Sequence, residues 1–263
     1  MRWNAANSSD DAERRPPSAV YIIAPAGAGG ALLAQALASL RTGTALSEEP
    51  APAVSLGEGG ERVDAAGSNV GSGRIGGGAL GLTAFDGAPK RALQIPHLAQ
   101  TDPEARFVIC WREPRATMAA AYREWSSGLM VTHPDLGGWT GPAWSHALIP
   151  RWRELEGQSL GAIVARQWAS VTDFLLGDLE GLDRGLWLAT SHDALAADPA
   201  TELERLCRGL AVKPSGLAAA IDILAGLEPS GAPTLLPDEL ELELPEIDSR
   251  VARVEVLLAG ARI

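Results

Sequence analysis

Short apolar runs alternate along the chain with segments in which apolar residues recur every three or four positions. The runs AVYII (19–23), RFVICW (106–111) and GLWLA (185–189) are short and nearly free of polar residues, as in strands buried on both faces of a sheet. A segment with helical periodicity follows each run. Buried strands that alternate with amphipathic helices predict an α/β fold, with a central parallel sheet flanked by helices.

Proline and aspartate residues mark where several of these helices begin or end. Pro114 suits the first turn of a helix, and Asp198 followed by Pro199 has the pattern of an N-cap and a first helical residue. A short helix is predicted over 88–98, stopped near Pro96. One long apolar helix face contains Ile163, Val164, Trp168, Val171, Phe174 and Leu175.

The composition divides the chain into a tail and one domain. Residues 1–18 are polar and are predicted to be a disordered tail, and residues 19–263 are predicted to form a single domain. Residues 47–84 are rich in Gly, Ala, Ser and Glu, which bury little apolar surface, so we expect a flexible Gly-rich insertion there. A loop of this length inside a domain is often functional.

The net charge of −11 makes nucleic acids and anionic membranes poor partners, because both are polyanions. No apolar run reaches the roughly 18 residues that span a bilayer, and the polar N-terminus lacks the apolar core of a signal peptide, so a cytoplasmic protein is expected. Cys110 and Cys207 lie in apolar segments and are predicted to be buried reduced thiols. Neither they nor His97, His133 and His146 have metal-ligand spacing, so these histidines are interpreted as structural and no metal is expected.

The first apolar run leads into a glycine-rich turn and then a helix, in the sequence YIIAPAGAGGALLAQAL. A strand, a turn and a helix in this order have the layout of a phosphate-binding loop. However, no Lys, Arg, Ser or Thr lies between Ala24 and Gln35, and the pattern of ordinary P-loop NTPases, G-x-x-x-x-G-K-[ST], is absent. Ligands of parallel sheets bind at the carboxyl ends of strands, where both this turn and the Arg112 turn are expected.

Four segments together carry a resemblance to a known family. In chain order they are YIIAPAGAGGALLAQAL, APKRALQIPHL, RFVICWREPRATMAAAYREW and RQWASVTDFLLGDLEGLDRGLWLATSHDALAADPATELERLCRGLAV. Their order resembles that of the bacterial sulfotransferases that use 3′-phosphoadenosine-5′-phosphosulfate (PAPS). The resemblance implies a P-loop-like sulfotransferase fold. It also implies transfer of a sulfuryl group from PAPS to a hydroxyl or amine of a small-molecule acceptor.

The resemblance places the glycine-rich turn at the family's 5′-phosphosulfate loop. Gly27 falls at the position of the catalytic cation, and Gly30 and Ala31 fall at the positions of paired hydroxyl residues. Ala28 takes a serine position, whereas Gly29 matches the family's glycine. Backbone N–H groups at Gly29 and Gly30 would remain to hold a phosphate, but the charged and hydroxyl groups of the loop are missing.

Three further positions correspond to the nucleotide site of the family. Arg112 matches the arginine that binds the 3′-phosphate, and Ala120 stands where the family has an accompanying serine. His192 replaces a tyrosine near the adenine. The retained half of the phosphate-binding pair is thus an arginine, which can contact phosphate bidentately.

Carboxylates near the loop are the candidates for a general base. Asp86 falls where some relatives have an acidic residue, and Gly87 replaces the lysine that follows it. Lys90 or Arg91 would then supply the missing loop cation. The alternative carboxylates for the base are Glu48 and Glu49.

The sequence leaves two functions open. One is an active PAPS-dependent sulfotransferase with an altered site. The other is a sulfotransferase-fold pseudoenzyme, or a repurposed biosynthetic enzyme, that does not use PAPS. This second function follows from the loss of the loop cation, the loop hydroxyls and the serine at Ala120. In either case we expect a small molecule as the partner, with no nucleic acid or membrane, and a homodimer as the candidate assembly.

Overall fold

The computed structural model describes residues 16–40, 43–45, 83–230, 237–241 and 247–259. The strands in these ranges are β1 (Ala19–Ile23), β2 (Gly43–Ala45), β3 (Thr83–Asp86), β4 (Arg106–Trp111), β5 (Val131–His133), β6 (Trp144–Ser145) and β7 (Trp187–Ser191). The helices are α1 (Gly30–Ser39), α2 (Ile95–Thr101), α3 (Pro114–Ser127), α4 (Leu160–Gly181), α5 (His192–Ala197), α6 (Pro199–Gly209), α7 (Leu217–Leu224), α8 (Asp238–Glu241) and α9 (Asp248–Ala259). Short 3-10 turns cover Pro89–Leu93, Trp152–Leu155 and Arg184–Leu186.

A five-stranded parallel sheet in the order β2–β3–β1–β4–β7 forms the centre of the described fold. β1 pairs with β3 on one side and with β4 on the other, so the carboxyl ends of these three strands meet at one edge of the sheet. Side chains along β1 alternate between the two faces. Tyr21 and Ile23 share a core with residues of α4, whereas Val20 and Ile22 share a core with residues of α1 and α6. The predicted α/β fold with a helix-covered parallel sheet is confirmed.

Two strands of the sheet leave no clear pattern in the sequence. β3 begins at Thr83, inside the range 47–84 that is predicted to be an insertion, and β2 precedes that range. β2 has three residues, fewer than the roughly four to eight over which a period of two can be recognised, and β3, with four residues, lies at the lower limit. Residues 46–82, which include the candidate bases Glu48 and Glu49, lie outside the described residues.

The last residues of the predicted tail are held against the domain. The Ser18 hydroxyl donates to both carboxylate oxygens of Asp102, at 2.9 and 2.8 Å. The Pro17 carbonyl accepts from the Thr83 hydroxyl at 2.9 Å. These bonds fix the chain before it enters β1, whereas residues 1–15 lie outside the described residues.

Most predicted helix boundaries agree with the structure. Pro114 begins α3, and the Asp198 carboxylate caps α6 by accepting from the Thr201 N–H at 3.1 Å. The helix predicted over 88–98 is wrong at its end, because Pro96 lies in the first turn of α2, where a proline costs no hydrogen bond. Both cysteines are buried free thiols, as predicted. Among the described helices, none combines the length and the apolar character needed to cross a membrane.

An excursion between α3 and α4 carries a cluster of indole rings. Strands β5 and β6 pair there in antiparallel fashion. The contacting rings lie 5.1 to 6.2 Å apart between centroids, mostly edge to face, which is a favoured geometry for aromatic pairs. They belong to Trp125, Trp139, Trp144 and Trp152. The excursion therefore packs its indole rings on Trp125 of α3, and Gln167 of α4 donates to its Ser145 and Ala147 carbonyls.

Candidate functional site

The glycine-rich turn at the carboxyl end of β1 is shaped by its own backbone. Gly27 and Gly29 have φ angles of 81° and 86°, in the left-handed region that glycine adopts without steric cost. The Ala28 N–H donates to the Pro25 carbonyl at 3.1 Å, and the Cys110 thiol donates to the Ala28 carbonyl at 3.2 Å. The turn enters α1, whose first N–H groups lack intrahelical partners, as at every helix start.

Gly27 lies directly against the backbone of α3. A β-carbon at Gly27 would stand 2.3 Å from the Thr117 carbonyl oxygen and 2.9 Å from both the Ala120 β-carbon and the Ala121 nitrogen. Real β-carbons do not approach backbone atoms this closely, so the position has no room for a side chain. The structure thus brings together Gly27, at the predicted cation position, and Ala120, at the predicted serine position. The two residues form a packing contact and leave no space for a ligand between them.

Gly29 is covered by two side chains from other parts of the chain. A β-carbon built on Gly29 would lie 3.1 Å from Cδ2 of His192 and 3.6 Å from Cδ2 of Leu227. Gly30 follows at the start of α1 and is buried, with the Ala24 side chain 2.7 Å from where its own β-carbon would lie. The structure therefore places the His192 ring against Gly29 of the turn, whereas the resemblance implies a place near the adenine.

Arg112, at the end of β4, reaches the same turn with its guanidinium. Its Nη1 donates to the Gly27 carbonyl at 3.2 Å, its Nη2 to the Glu228 carbonyl at 3.3 Å and its Nε to the Ser230 hydroxyl at 3.3 Å. Burial lowers the pKa of Arg112, and Arg123 lowers it further, while Asp193 and other nearby carboxylates raise it. The guanidinium is half-buried, and these three contacts are all with neutral oxygens.

Residues 226–230, which follow α7, form a covering segment over this part of the site. Leu227 packs on Gly29, and Glu228 and Ser230 contact Arg112, as described above. The Ser230 N–H donates to Oδ1 of Asp193 at 2.7 Å, which ties the segment to α5. The segment thus occupies the Arg112 donors that a ligand phosphate would use.

His192 is a buried, neutral residue at the end of β7. The residue is 2% exposed, and its Nδ1 has no hydrogen-bond partner among the described residues. Burial lowers the pKa of His192 to about 4, the Arg112 charge lowers it further, and Asp193 opposes both. Since the ring lies against Gly29, it fills space beside the turn.

Asp86, the predicted general base, is held in a buried ion pair. Its Oδ2 lies 2.7 Å from Nη2 of Arg91 and accepts from Nε at 2.8 Å, while its Oδ1 accepts from the Ala88 N–H at 2.9 Å. Arg91 also donates to Gln94 at 2.9 Å. The Asp86 side chain is 5% exposed, so an acceptor molecule has little access to it. This arrangement disfavours Asp86 as a base and Arg91 as a free cation.

The other predicted cation positions lie beside this ion pair. Lys90 is half-buried on the turn Pro89–Leu93, next to Arg91. A β-carbon at Gly87 would stand 2.9 Å from both the Ala34 β-carbon and the Gly30 carbonyl oxygen. Gly87 therefore packs against α1, and its position has no room for the lysine of the family pattern.

One contact between a carboxylate and an imidazole is missing from the sequence-based site. Glu124 lies on α3 one helical turn beyond Ala120, and its Oε2 is 3.4 Å from Nε2 of His146. From the sequence alone His146 is interpreted as structural, because partners that are distant in sequence leave no spacing pattern. Among the described residues, no group of His, Cys, Asp and Glu is arranged to hold a metal ion.

Comparison with solved structures identifies the fold. A sulfotransferase from Alicyclobacillus acidocaldarius is similar over 94% of this chain and 96% of that chain, with 16% identity and a TM-score of 0.54. The sulfotransferase domain from the curacin biosynthetic pathway is similar over 89% of this chain and 99% of that chain, with 14% identity and a TM-score of 0.50. The chain has the sulfotransferase fold.

Mouse sulfotransferase SULT7A1, solved in a complex with PAP, is similar over 93% of this chain and 87% of that chain, with 10% identity and a TM-score of 0.49. No protein-family model and no curated protein matches the chain. At these identities the likeness concerns the fold. The chemistry of this sulfotransferase-fold protein therefore depends on its own residues around the turn.

Proposed function

We propose that this protein binds PAPS between the Gly27–Gly30 turn and Arg112, and transfers its sulfuryl group to a hydroxyl or amine of a small molecule. The supporting observation is the contact of 3.2 Å between Arg112 Nη1 and the Gly27 carbonyl. It brings a guanidinium to a glycine turn that opens a helix, at the carboxyl ends of two adjacent parallel strands. Ligands of open α/β sheets bind at such ends.

The donors of Arg112 suit a phosphate better than they suit their present partners. Its acceptors are two backbone carbonyls and a hydroxyl, which are uncharged. Hydrogen bonds between a guanidinium and a phosphate are roughly twice as strong as those between neutral groups. The N–H groups at the start of α1 add donors from the other side of the turn. These groups would hold the phosphates of PAPS, which when bound supplies the sulfuryl group.

Two features of the turn work against a complete PAPS site. His192 and Leu227 pack on Gly29, so they must move before a phosphate can reach this part of the turn. The turn also has no cation of its own. Removing one well-placed donor costs about 3 kcal/mol of transition-state stabilisation, so we expect slow turnover.

Calorimetry with 3′-phosphoadenosine-5′-phosphate (PAP) tests the nucleotide site. We expect wild type to bind PAP and Arg112→Ala to lose at least about tenfold in affinity, because a hydrogen bond to a charged group contributes roughly 1.5–3 kcal/mol. The matched control is Arg106→Ala, an arginine at the opposite end of β4 that donates to the Ala105 carbonyl. If millimolar PAP does not bind wild type, the proposed site is wrong.

Transfer of labelled sulfate tests the reaction separately from binding. Wild type would be incubated with labelled PAPS and a panel of phenols, alcohols and amines. We expect a sulfated product that is absent with Arg112→Ala. PAP binding without transfer to any member of the panel would support nucleotide binding but contradict the proposed reaction for that panel.

A sulfotransferase-fold protein that does not use PAPS is the second candidate, and the packing of two glycines favours it. Neither Gly27 nor Gly87 can carry a side chain unless α3 or α1 moves. Position 27, where the resemblance expects the loop cation, and position 87, where it expects the lysine after the acidic residue, are therefore both closed. If this candidate is right, wild type binds no PAP, and labelled sulfate stays on the nucleotide.

A further inference from the structure

His146 has a strained backbone that its surroundings hold in place. Its φ is 62°, a left-handed conformation that costs an L-residue roughly 1–2 kcal/mol. The His146 carbonyl accepts from the Thr132 hydroxyl at 2.7 Å. The carbonyls on either side, from Ser145 and Ala147, both accept from Nε2 of Gln167 at 2.9 Å. Strain that several bonds maintain is common at functional sites.

The imidazole of His146 is buried without a well-formed hydrogen bond. The residue is 2% exposed, and neither ring nitrogen makes a hydrogen bond of ordinary geometry among the described residues, although the Ala121 backbone lies close enough to the ring to affect its pKa. Buried polar atoms without partners are uncommon, and each calls for an explanation. The Glu124 carboxylate faces this ring, with its Oε2 3.4 Å from Nε2. The residue with the strained backbone thus has its ring beside a carboxylate.

Glu124 lies on the face of α3 that contacts the glycine turn. A β-carbon at Gly27 would be 2.9 Å from that of Ala120. Ala120 and Glu124 are four residues apart on the helix, so their β-carbons lie about 6 Å apart on one face. The Glu124 side chain is 40% exposed, whereas that of Asp86 is 5% exposed. A ligand beside the turn can therefore reach Glu124 more readily than the base that the sequence predicts.

We propose that Glu124 is the general base for the acceptor molecule and that His146 positions its carboxylate. The inference rests on the proposed function and adds the acceptor side of the same site. The acceptor would be a small molecule with a hydroxyl or amine, bound along α3 next to Gly27. Glu124 would contact its reacting hydrogen, while His146 acts through Glu124.

The step assigned to Glu124 is a proton transfer. The O–H or N–H bond of the acceptor breaks, its electron pair stays on the acceptor atom as the nucleophile, and the proton goes to Oε1 of Glu124. With a proton on Nε2, neutral His146 would donate to Oε2 once a small movement improves the geometry of their 3.4 Å contact, and Oε1 would stay open to the acceptor. The exposed side of Glu124 then returns the proton to water. A base is most effective when its pKa lies near the working pH.

The surroundings of Glu124 move its pKa in that direction. Burial raises the pKa of Glu124, and this is the largest effect. Arg123 on α3 and Arg112 at the end of β4 oppose it. Arg112, whose guanidinium contacts the Gly27 carbonyl, also provides positive charge on the side where the nucleotide phosphates would lie.

The surroundings of His146 keep its ring neutral at pH 7. Burial lowers the pKa of His146 to about 4, and the backbone of Ala121 on α3 opposes this. His133 on β5 bonds the same Thr132 hydroxyl through Nδ1, and burial lowers its pKa too. The ring beside Glu124 is therefore an uncharged donor, which orients the carboxylate without forming a permanent ion pair.

A titration of the Glu124 carboxyl by NMR tests the pair without nucleotide or acceptor. Loss of the His146 ring in His146→Asn should raise the pKa of Glu124, since a donor to the ionised carboxylate favours its charged form. The matched control is His97→Asn, a histidine on α2. This control should leave the titration of Glu124 unchanged. Identical Glu124 titrations in wild type and His146→Asn would overturn the proposal.

Kinetics and calorimetry on variants of both residues test the role of the pair in the reaction. We expect Glu124→Gln to lose about 100-fold or more in turnover, within the usual range for a general base, while its PAP affinity changes less than about threefold. Glu124→Asp keeps a carboxylate and should recover part of the rate. His146→Asn keeps a residue type that tolerates a positive φ and should move the acid limb of the pH–rate profile to higher pH.

The outcomes separate this inference from the proposed function. Wild-type turnover by Glu124→Gln, or a parallel loss of turnover and PAP affinity, would overturn the base assignment and leave the proposed function standing. An unchanged pH–rate profile in His146→Asn would overturn the positioning role. If wild type neither binds PAP nor transfers sulfate, the proposed function fails first, and the base assignment is overturned with it.

Discussion

Gly27 and Thr117 meet backbone to backbone, so closely that a β-carbon on Gly27 would stand 2.3 Å from the Thr117 carbonyl oxygen. In a phosphate loop with a catalytic cation, the corresponding residue points a side chain at the ligand. Here the turn packs directly against the backbone of α3 instead, and the Ala120 β-carbon also lies against Gly27. The glycine is thus a requirement of the packing between the turn and the helix.

Gly27→Ala should destabilise the protein more than Gly128→Ala. Both glycines have a positive φ, of 81° and 68°, but a β-carbon at Gly128 meets nothing within 4 Å. Each change should cost about 1 kcal/mol for backbone strain, and Gly27→Ala a further 1–3 kcal/mol for overpacking. Urea unfolding measures the difference. Equal losses would mean that the turn yields easily and that position 27 has room for a side chain.

Leu227→Ala should increase the affinity for PAP. Leu227 packs on Gly29 and belongs to the covering segment that occupies Arg112, so shortening it removes part of what a phosphate must displace. Leu217→Ala is the matched control, a partly buried leucine of α7 that packs on the same core. Calorimetry should show a gain of several-fold for Leu227→Ala and no gain for the control. A lower affinity would show that the covering segment supports the ligand.

Asp86→Asn should act on stability more than on turnover. Breaking a buried ion pair by changing one partner costs roughly 3–5 kcal/mol, because the other charge stays buried without compensation. The double variant Asp86→Asn with Arg91→Gln should lose less than the sum of the two single changes. Unfolding of the four proteins in urea gives the coupling. If Asp86→Asn lost turnover but kept the stability of wild type, this prediction would be wrong and Asp86 would be the better candidate for the base.

His192→Phe should reduce the sensitivity of the fold to acid. The pKa of His192 falls from an ordinary 6.5 to about 4 on folding, so between these values the unfolded chain binds more protons than the folded one. The contribution of neutral His192 to the free energy of unfolding is complete above about pH 6.5 and is lost as the pH falls towards 4. Urea unfolding between pH 7 and pH 4.5 should show a shallower decline for the variant. Parallel declines would mean that the ring is accessible to protons in the folded state.

The main sheet could be predicted from the sequence because its central strands are buried on both faces. β1 and β4 read as continuous apolar runs, and Pro114 and Asp198 mark helix starts with local chemistry. β3 has four residues and ends in the buried carboxylate of Asp86, so neither its length nor its composition separates it from a loop. What holds β3 in place is its pairing with β1, which is a property of the folded chain.

The candidate site could be predicted in position but not in contacts. The turn and Arg112 meet because parallel strands bring their carboxyl ends together, and the sequence shows where the strands end. The partners of Asp86 and the pairing of Glu124 with His146 depend on side-chain placement between elements, which no local pattern records. The lack of room at Gly27 depends on α3 in the same way.

The indole cluster of the excursion between α3 and α4 has an optical consequence. Rings held edge to face at 5.1 to 6.2 Å sit in a fixed chiral environment, which gives a near-ultraviolet circular dichroism signal that loosened packing abolishes. Trp125 donates to Gln167 at 2.9 Å, and Gln167 is the amide that holds the carbonyls on both sides of His146. The indole rings are therefore an intrinsic probe of the packing around His146. Near-ultraviolet circular dichroism can follow that packing without an added label.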